Sequence, residues 1–145
     1  MAPSVSISSA LLTALRARAA ASPVEICGLL LGAPGAILEA PPCANVAAEP
    51  ERRFELDPAA LFAAHRRARE GGPAILGHYH SHPEGPARPS AEDARQAAAD
   101  GALWLILAAR EARLWRAVAA GAWHGRFDPV ALMVAPPCDD APPSP

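Results

Sequence analysis

Short apolar runs and stretches with helical period alternate along the chain, and this order predicts a sheet with helices packed against it. Apolar runs bounded by glycine, proline or charged residues predict strands. These runs lie at 5–7, 25–32, 36–39, 52–56, 73–82, 103–107, 111–118 and 126–134, the last expected at a sheet edge. The helical period predicts helices at 8–21, 57–70 and 90–100. Helices interleaved with strands in this order favour an α/β or α+β domain with a mixed sheet.

The second predicted helix has a well-marked start. Asp57 is a typical N-cap, and Pro58 suits the first helical position because it has no N–H to leave unpaired. The apolar stripe of this helix is expected to turn Leu61, Phe62 and His65 toward the sheet.

Length, charge and cysteine content narrow the class of protein. The 145 residues suffice for one domain with its own core, predicted over 1–134, and the proline-rich residues 135–145 predict a disordered tail. A net charge of −2 and the lack of a membrane-spanning apolar run argue against nucleic-acid and membrane partners. Three unevenly spaced cysteines do not make a disulfide framework, so we expect a reducing, cytoplasmic location.

The end of the 73–82 strand carries the most informative chemistry, in the segment Gly77-His78-Tyr79-His80-Ser81-His82-Pro83. Side chains two residues apart on a strand point the same way, so His80 and His82 share a face. Two neighbouring imidazoles can chelate a borderline-soft cation such as zinc. The loop after Pro83 can bring back Asp93 as a third ligand. Two histidines and one carboxylate would leave the fourth position open, as a catalytic zinc site requires.

Each of these residues also has an ordinary structural interpretation. Paired histidines on a strand often serve packing or hydrogen bonding. Ser90 followed by Asp93 is typical of a helix N-terminus, with the serine as cap and the acid in the first turn. The structural interpretation of Glu25 is an exposed residue at the end of a strand. His78 lies on the same predicted face as the other two histidines, so a three-histidine site with Asp93 as a helix cap is an alternative.

The order of these residues resembles the JAMM motif of the MPN-domain metallopeptidases. The matching elements are Glu25 in E-x-C-G-x-L-x-G, then H-S-H-P from His80, then S-x-x-D from Ser90 to Asp93. The resemblance covers the chain from the first helix to about Val134, and no member of the motif is missing. It implies an MPN-type curved mixed sheet flanked by helices, and one Zn²⁺ per chain.

Carried over position by position, the resemblance implies a role for each residue. His80, His82 and Asp93 would bind the zinc. Glu25 would act as general acid and base on the zinc-bound water. Ser90 would hydrogen-bond the oxyanion of the tetrahedral intermediate.

The resemblance also implies a substrate class. The chain is similar to the small bacterial and archaeal members, which cleave after the C-terminal Gly-Gly of ubiquitin-like or sulfur-carrier proteins. We expect such a tail to bind as an added strand near residues 83–89, with Arg88 as a contact. A zinc deaminase would need H-x-E followed by P-C-x-x-C, but Glu does not stand two residues after His80, and no second cysteine follows Pro137-Cys138. A non-catalytic MPN-type scaffold or binding module is the remaining alternative.

Overall fold

The predicted alternation of strands and helices is confirmed. The computed structural model describes residues 4–136, which form eight strands and three helices. In chain order these are β1 (Ser4–Ser8), α1 (Ser9–Ala20), β2 (Cys27–Ala33), β3 (Ala36–Glu39), β4 (Pro42–Cys43), α2 (Pro58–Arg69), β5 (Ala74–Ser81), α3 (Ala91–Gln96), β6 (Leu103–Leu107), β7 (Ala112–Gly121) and β8 (Gly125–Ala135). The predicted tail lies outside the described residues from position 137 onward, and its first residue, Ala135, ends β8.

The strands form one mixed sheet in the order β3-β1-β8-β7-β6-β5-β2-β4. β1 pairs parallel with β8, and β5 pairs parallel with β6, while β7 is antiparallel to both of its neighbours. Because β3 pairs with β2 as well as with β1, the sheet curves back on itself. The predicted curved mixed sheet with helices is therefore confirmed.

The position of β8 differs from the prediction of an edge strand. β8 lies between β1 and β7, and it pairs with β1 over five residues, from Ser4 opposite Ala131 to Ser8 opposite Ala135. Only Phe127 and Val130 of β8 are buried, and its other residues are exposed or half-buried, a pattern that an edge strand shares. The sequence pattern reports which face of a strand is buried and does not report its long-range partner.

The two faces of the sheet carry different cores. Alternate residues of β2, β5 and β6 pack under α1, in an aliphatic cluster that includes Leu15, Leu30 and Leu105. The opposite face holds an aromatic cluster, with Phe54, Trp104, Trp115 and Phe127, which packs beside α3. The functional side chains described below lie on this aromatic face.

Helix α2 starts as predicted but presents a different face to the sheet. Asp57 caps it through Ala59 N, at 3.0 Å. Ala64 is buried, whereas Phe62 and His65 are exposed, so the prediction that these two point inward is wrong. The small Ala64 allows close packing on Leu29 and Leu31 of β2. None of the helices among residues 4–136 combines the length and the apolar character that crossing a membrane requires.

Candidate metal centre

Three polar atoms converge where β5 ends. His80 Nε2 and His82 Nε2 are 3.1 Å apart. Asp93 Oδ2 lies 3.4 Å from His80 Nε2 and 3.3 Å from His82 Nε2. A tetrahedral zinc ion with bonds of about 2.0–2.1 Å needs its ligand atoms about 3.3–3.4 Å apart. The three atoms therefore form a triangle of the size that such an ion requires.

The loop after β5 fixes the tautomer of His82. Its Nδ1 lies 2.9 Å from the carbonyl oxygen of Pro86. A carbonyl only accepts hydrogen bonds, so the proton of the neutral ring is on Nδ1 and the lone pair of Nε2 points into the triangle. Histidines that bind metals are commonly held by a second contact of this kind.

His80 is held by packing instead. Its ring stacks on Phe54 at 4.2 Å between ring centres, with an interplanar angle of 16°. Its Nδ1 is buried and has no hydrogen-bond partner among the described residues. Phe54 comes from the 52–56 run, which was predicted as a strand and is a loop with a single bridge from Leu56 to Asn45. The one buried aromatic in a charged segment was the signal that could have pointed to this contact.

Asp93 has two functions in the same position. Ser90 N donates to Asp93 Oδ2 at 2.9 Å, and Asp93 N donates to Ser90 Oγ at 3.0 Å, which makes a capping box at the start of α3. The helix-cap interpretation therefore holds, and the same Oδ2 also faces both histidines. Helix α3 ends at Gln96, shorter than predicted, because Ala97 is already extended.

The charges of these three groups are interdependent. Burial opposes ionisation of Asp93, but hydrogen bonds that His80 and His82 donate when their Nε2 atoms are protonated hold the pKa of its carboxyl well below the usual range. Burial lowers the pKa of His80. Burial acts in the same direction on His82, where hydrogen bonds to Asp93 and Pro86 outweigh it and raise the pKa. A buried carboxylate beside two imidazoles is an environment that a divalent cation would neutralise.

Glu25 lies beside the triangle, two residues before β2. It is 6% exposed, and its Oε1 has no hydrogen-bond partner within the described part of the chain. Its carboxylate and the nitrogens of His80 and His82 lie within 4.8 Å of one another, so these three can also hold a metal. Asp93 Oδ2 is closer to the same two nitrogens, at 3.4 Å and 3.3 Å. Burial raises the pKa of Glu25 to about 7.

The backbone of Glu25 is fixed by a residue that the sequence reasoning missed. Asn45 Nδ2 donates to the carbonyl oxygen of Glu25 at 2.8 Å and to that of Arg53 at 3.1 Å. Its Oδ1 accepts from the backbone N–H groups of Ala47 and Glu55. One side chain thus joins Glu25 to the loop that carries Phe54. An isolated asparagine in an irregular segment gave no signal of this.

Ser90 and Arg88 have different relations to the centre. Ser90 lines a cleft of about 500 Å³ together with Glu25 and His82. Because its Oγ accepts from Asp93 N, its hydroxyl proton is available for donation. Arg88 is exposed, does not line this cleft, and has its guanidinium carbon 5.2 Å from the centre of the Trp123 ring.

His78 lies apart from the convergent atoms. Its ring packs edge-on against Trp104, with 4.2 Å between ring centres, and is 6.0 Å from the ring of His80. Burial lowers its pKa to about 3. The fold thus brings Asp93, rather than His78, to the other two histidines.

A second cleft of about 730 Å³ opens on the other side of His82, between α1 and the ends of β5 and β6. The two clefts share Pro23, His82, Pro83 and Glu84. The convergent atoms therefore lie beside two neighbouring clefts.

Comparison with known proteins finds one matching family model and two proteins of similar sequence. Residues 8–118 match the model of the prokaryotic homologs of the JAB domain. The chain is 41% identical over 86 residues to a desampylase of Haloferax volcanii, covering 58% of this chain and 62% of the relative. It is 41% identical over 56 residues to a probable TtuB-protein conjugate cleaving protease of Thermus thermophilus, covering 39% and 38%. The match thus spans less than two thirds of either relative.

Solved structures share the fold over nearly the whole chain. A solution structure from Desulfitobacterium hafniense has a TM-score of 0.76 at 27% identity, covering 91% of this chain and 93% of that one. A second, from Salinibacter ruber, has a TM-score of 0.66 at 29% identity, covering 97% and 95%. The crystal structure of a JAB1/MPN domain protein from Archaeoglobus fulgidus has a TM-score of 0.59 at 21% identity, covering 91% and 98%. The predicted MPN-type fold is confirmed.

Proposed function

The chain belongs to the family of prokaryotic homologs of the JAB domain, and on this premise we propose that it is a zinc-dependent isopeptidase that releases a ubiquitin-like protein from its conjugates. The names of two relatives, a desampylase and a probable conjugate cleaving protease, support this substrate class. The observation that carries the proposal is the triangle of His80, His82 and Asp93 beside the buried Glu25, whose Oε1 has no hydrogen-bond partner among residues 4–136.

The residues present fit a catalytic zinc ion. Two imidazoles and one carboxylate are a ligand set that leaves the fourth position free for reactants. Held by His80, His82 and Asp93, zinc would supply a Lewis acid that lowers the pKa of water to about 7. The tautomer set by Pro86 and the capping box of Ser90 keep two of the three ligand atoms aimed at one point before any metal arrives.

Glu25 is suited to move the proton of the attacking water. Its unpartnered Oε1 is an acceptor, and a carboxyl with a pKa of about 7 both takes and returns a proton near neutral pH. After taking the proton, Glu25 would give it to the leaving amine, as hydrolysis of an amide requires. The carboxylate can do this without being a ligand.

Ser90 is suited to stabilise the negative charge on the scissile carbonyl oxygen. Its hydroxyl faces the same cleft as Glu25, and its orientation is fixed by the capping box. A preorganised donor of this kind contributes about 3–4 kcal/mol to transition-state binding.

The proposed substrate is the C-terminal Gly-Gly tail of a ubiquitin-like or sulfur-carrier protein, joined to a lysine or a peptide. The tail is proposed to lie along the two clefts, which share Pro23 and Pro83, and its glycines have no side chains to be accommodated there. Arg88, on the loop that begins at Pro83, is proposed to contact the tail. An unchanged KM in Arg88→Ala would exclude that contact.

The test compares the wild-type chain with two variants on a ubiquitin-like protein joined through Gly-Gly to a lysine. We expect cleavage by the zinc-loaded wild type, at least 10³-fold slower cleavage by Glu25→Gln with zinc retained, and loss of zinc in His80→Ala. A non-catalytic binding module predicts substrate binding without cleavage and no change in Glu25→Gln. That result would refute the proposal.

A further inference from the structure

We propose that Trp115 and Trp123 are positioning residues for the metal centre, acting through the loop that joins two of its ligands. This inference rests on the proposed function and assigns a new role to two side chains of β7 and the turn after it. We call residues 83–90 the proline loop, since it contains Pro83, Pro86 and Pro89.

The proline loop cannot be held by its own backbone donors alone. Its three prolines have no N–H, so much of its hydrogen-bonding capacity is carbonyl oxygen. The indole N–H only donates and therefore suits such acceptors. Trp115 Nε1 donates to the carbonyl oxygen of Ala87 at 3.1 Å, and Trp123 Nε1 donates to that of Pro89 at 2.9 Å.

Along the loop, these two bonds lie between the two contacts that orient the proposed metal ligands. The carbonyl oxygen of Pro86, next to Ala87, accepts from His82 Nδ1. The N–H of Ser90, next to Pro89, donates to Asp93 Oδ2. Each indole therefore holds the residue adjacent to one that orients a ligand. A shift of the loop would move the lone pair of His82 and the carboxylate of Asp93 together.

Packing restrains the same segment. Ala87 is 0% exposed, and the rings of Trp115 and Trp123 are 5.9 Å apart. Arg88 covers the outer side of the pair, with its guanidinium carbon 5.2 Å from the Trp123 ring. The loop thus lies against the two indoles through Ala87 and Pro89, which are buried, while most of its other residues are exposed.

The β7–β8 turn has the geometry needed to bring Trp123 to the loop. Ala120 and His124, on either side of it, adopt left-handed φ values of 56° and 53°. Residues other than glycine rarely adopt this conformation, which costs of order 10-fold in conformer population for each. Phe127 N and Phe127 O bond across the turn to Trp123 O and N. The turn is therefore constrained around the residue that reaches Pro89.

The test uses Trp115→Phe and Trp123→Phe, which keep an aromatic ring and remove the N–H. Zinc affinity is measured by competition with a chromophoric chelator, and ligand geometry by the visible absorption bands of the Co²⁺-loaded protein. We expect at least a 10-fold loss of metal affinity in each variant and altered Co²⁺ bands, as for other groups that orient metal ligands. Substrate KM should change less than kcat.

A matched control separates positioning from a general loss of stability. Ile37→Val removes one methylene from the aliphatic core, 2% exposed in the wild type, on the other face of the sheet. It is expected to lower the urea midpoint by an amount comparable with the loss of one hydrogen bond, without any change in metal affinity.

The outcomes distinguish the two proposals. Wild-type protein that takes up no zinc or cobalt refutes the proposed function, and with it this inference. Wild-type protein that binds metal, with tryptophan variants of unchanged affinity and unchanged Co²⁺ bands, refutes only the positioning role. Equal loss of affinity in Ile37→Val would show a purely structural effect and would also overturn it.

Discussion

Asp93 belongs to the capping box and also faces the two histidines, so its proposed contribution to metal binding can be separated from its contribution to folding. Asp93→Asn keeps a side-chain oxygen that can accept from Ser90 N, and it removes the negative charge that faces the two histidines. Asp93→Ala removes both. The effect of Asp93→Asn therefore measures the loss of the charge. The difference between Asp93→Asn and Asp93→Ala measures the added loss of the cap.

The expected magnitudes follow from general values. Zinc in a four-ligand protein site is bound by about 10–16 kcal/mol, so one ligand accounts for roughly 3–4 kcal/mol, or 10²–10³-fold in affinity. The capping box is worth about 1 kcal/mol. Asp93→Asn should therefore lose at least 10²-fold in zinc affinity, while the contribution of the cap to the free energy of unfolding of the metal-free protein, about 1 kcal/mol, is kept. Asp93→Ala should lose both.

The assay measures zinc affinity by chelator competition and unfolding by urea with EDTA present. His78→Gln is the matched comparison, because His78 lies on the same strand face but 6.0 Å from the ring of His80. We expect this variant to retain zinc with affinity close to wild type. Zinc retained by Asp93→Asn and lost by His78→Gln would refute the assignment of ligands and favour a three-histidine site.

Three further predictions test burial and close packing. Because burial raises the pKa of Glu25 to about 7 from 4.5, the metal-free fold is most stable below pH 4.5 with respect to this group and loses stability as pH rises through 7. Glu25→Gln should thus stabilise metal-free protein at pH 8, by up to about 3 kcal/mol, and hardly at pH 4; an equal effect at both pH values in urea unfolding would contradict this. Burial raises the pKa of Cys27 to about 12, so its alkylation by iodoacetamide at pH 8 should be on the order of 10³-fold slower than that of a free thiol. Mass spectrometry of a Cys43→Ser, Cys138→Ser variant measures this rate. Alkylation at the free-thiol rate would exclude a buried Cys27. A Cβ at Gly28 would lie 2.3 Å from Pro41 O and 2.4 Å from the Tyr79 ring, so Gly28→Ala should lower the free energy of unfolding by about 3 kcal/mol. Gly35→Ala should lower it by only about 1 kcal/mol, because a φ of 82° is the only feature of Gly35 that disfavours alanine. Equal losses in the two variants would refute the clash.

Local signals in the sequence predicted the elements that depend on local physics. The Asp57-Pro58 start of α2, the Ser90 cap of α3 and the fully buried β6 follow from capping chemistry and apolar runs, and all three are observed. The inward face of α2 was wrong because Ala64 packs more closely than Phe62 could, which only the spacing between helix and sheet decides. The interior place of β8 depends on its pairing with β1, more than a hundred residues away in the chain.

The candidate site also has features that could be predicted from the sequence and features that could not. The histidine pair could be predicted because strand geometry alone puts side chains two residues apart on one face. The contacts that position the pair and its neighbours could not be predicted, since each comes from a different part of the chain. Phe54 stacks on His80 from a loop, Asn45 holds Glu25, and Trp123 reaches the proline loop from the far turn. Such contacts depend on tertiary packing, which leaves no periodic trace in the sequence.

The short helix α3 carries one carboxylate of the candidate centre and is positioned by contacts at its N-terminus. Helix α3 has six residues, too few to be stable alone. Its position is set at the N-terminus by the capping box and by the loop that the two indoles hold. Because Asp93 belongs to the capping box and is also the carboxylate of the triangle, metal binding and formation of α3 should be coupled. Zinc should therefore slow amide hydrogen exchange in α3 more than in α2, whose Asp57 cap faces no metal-binding group; equal protection of the two helices would show that they are not coupled.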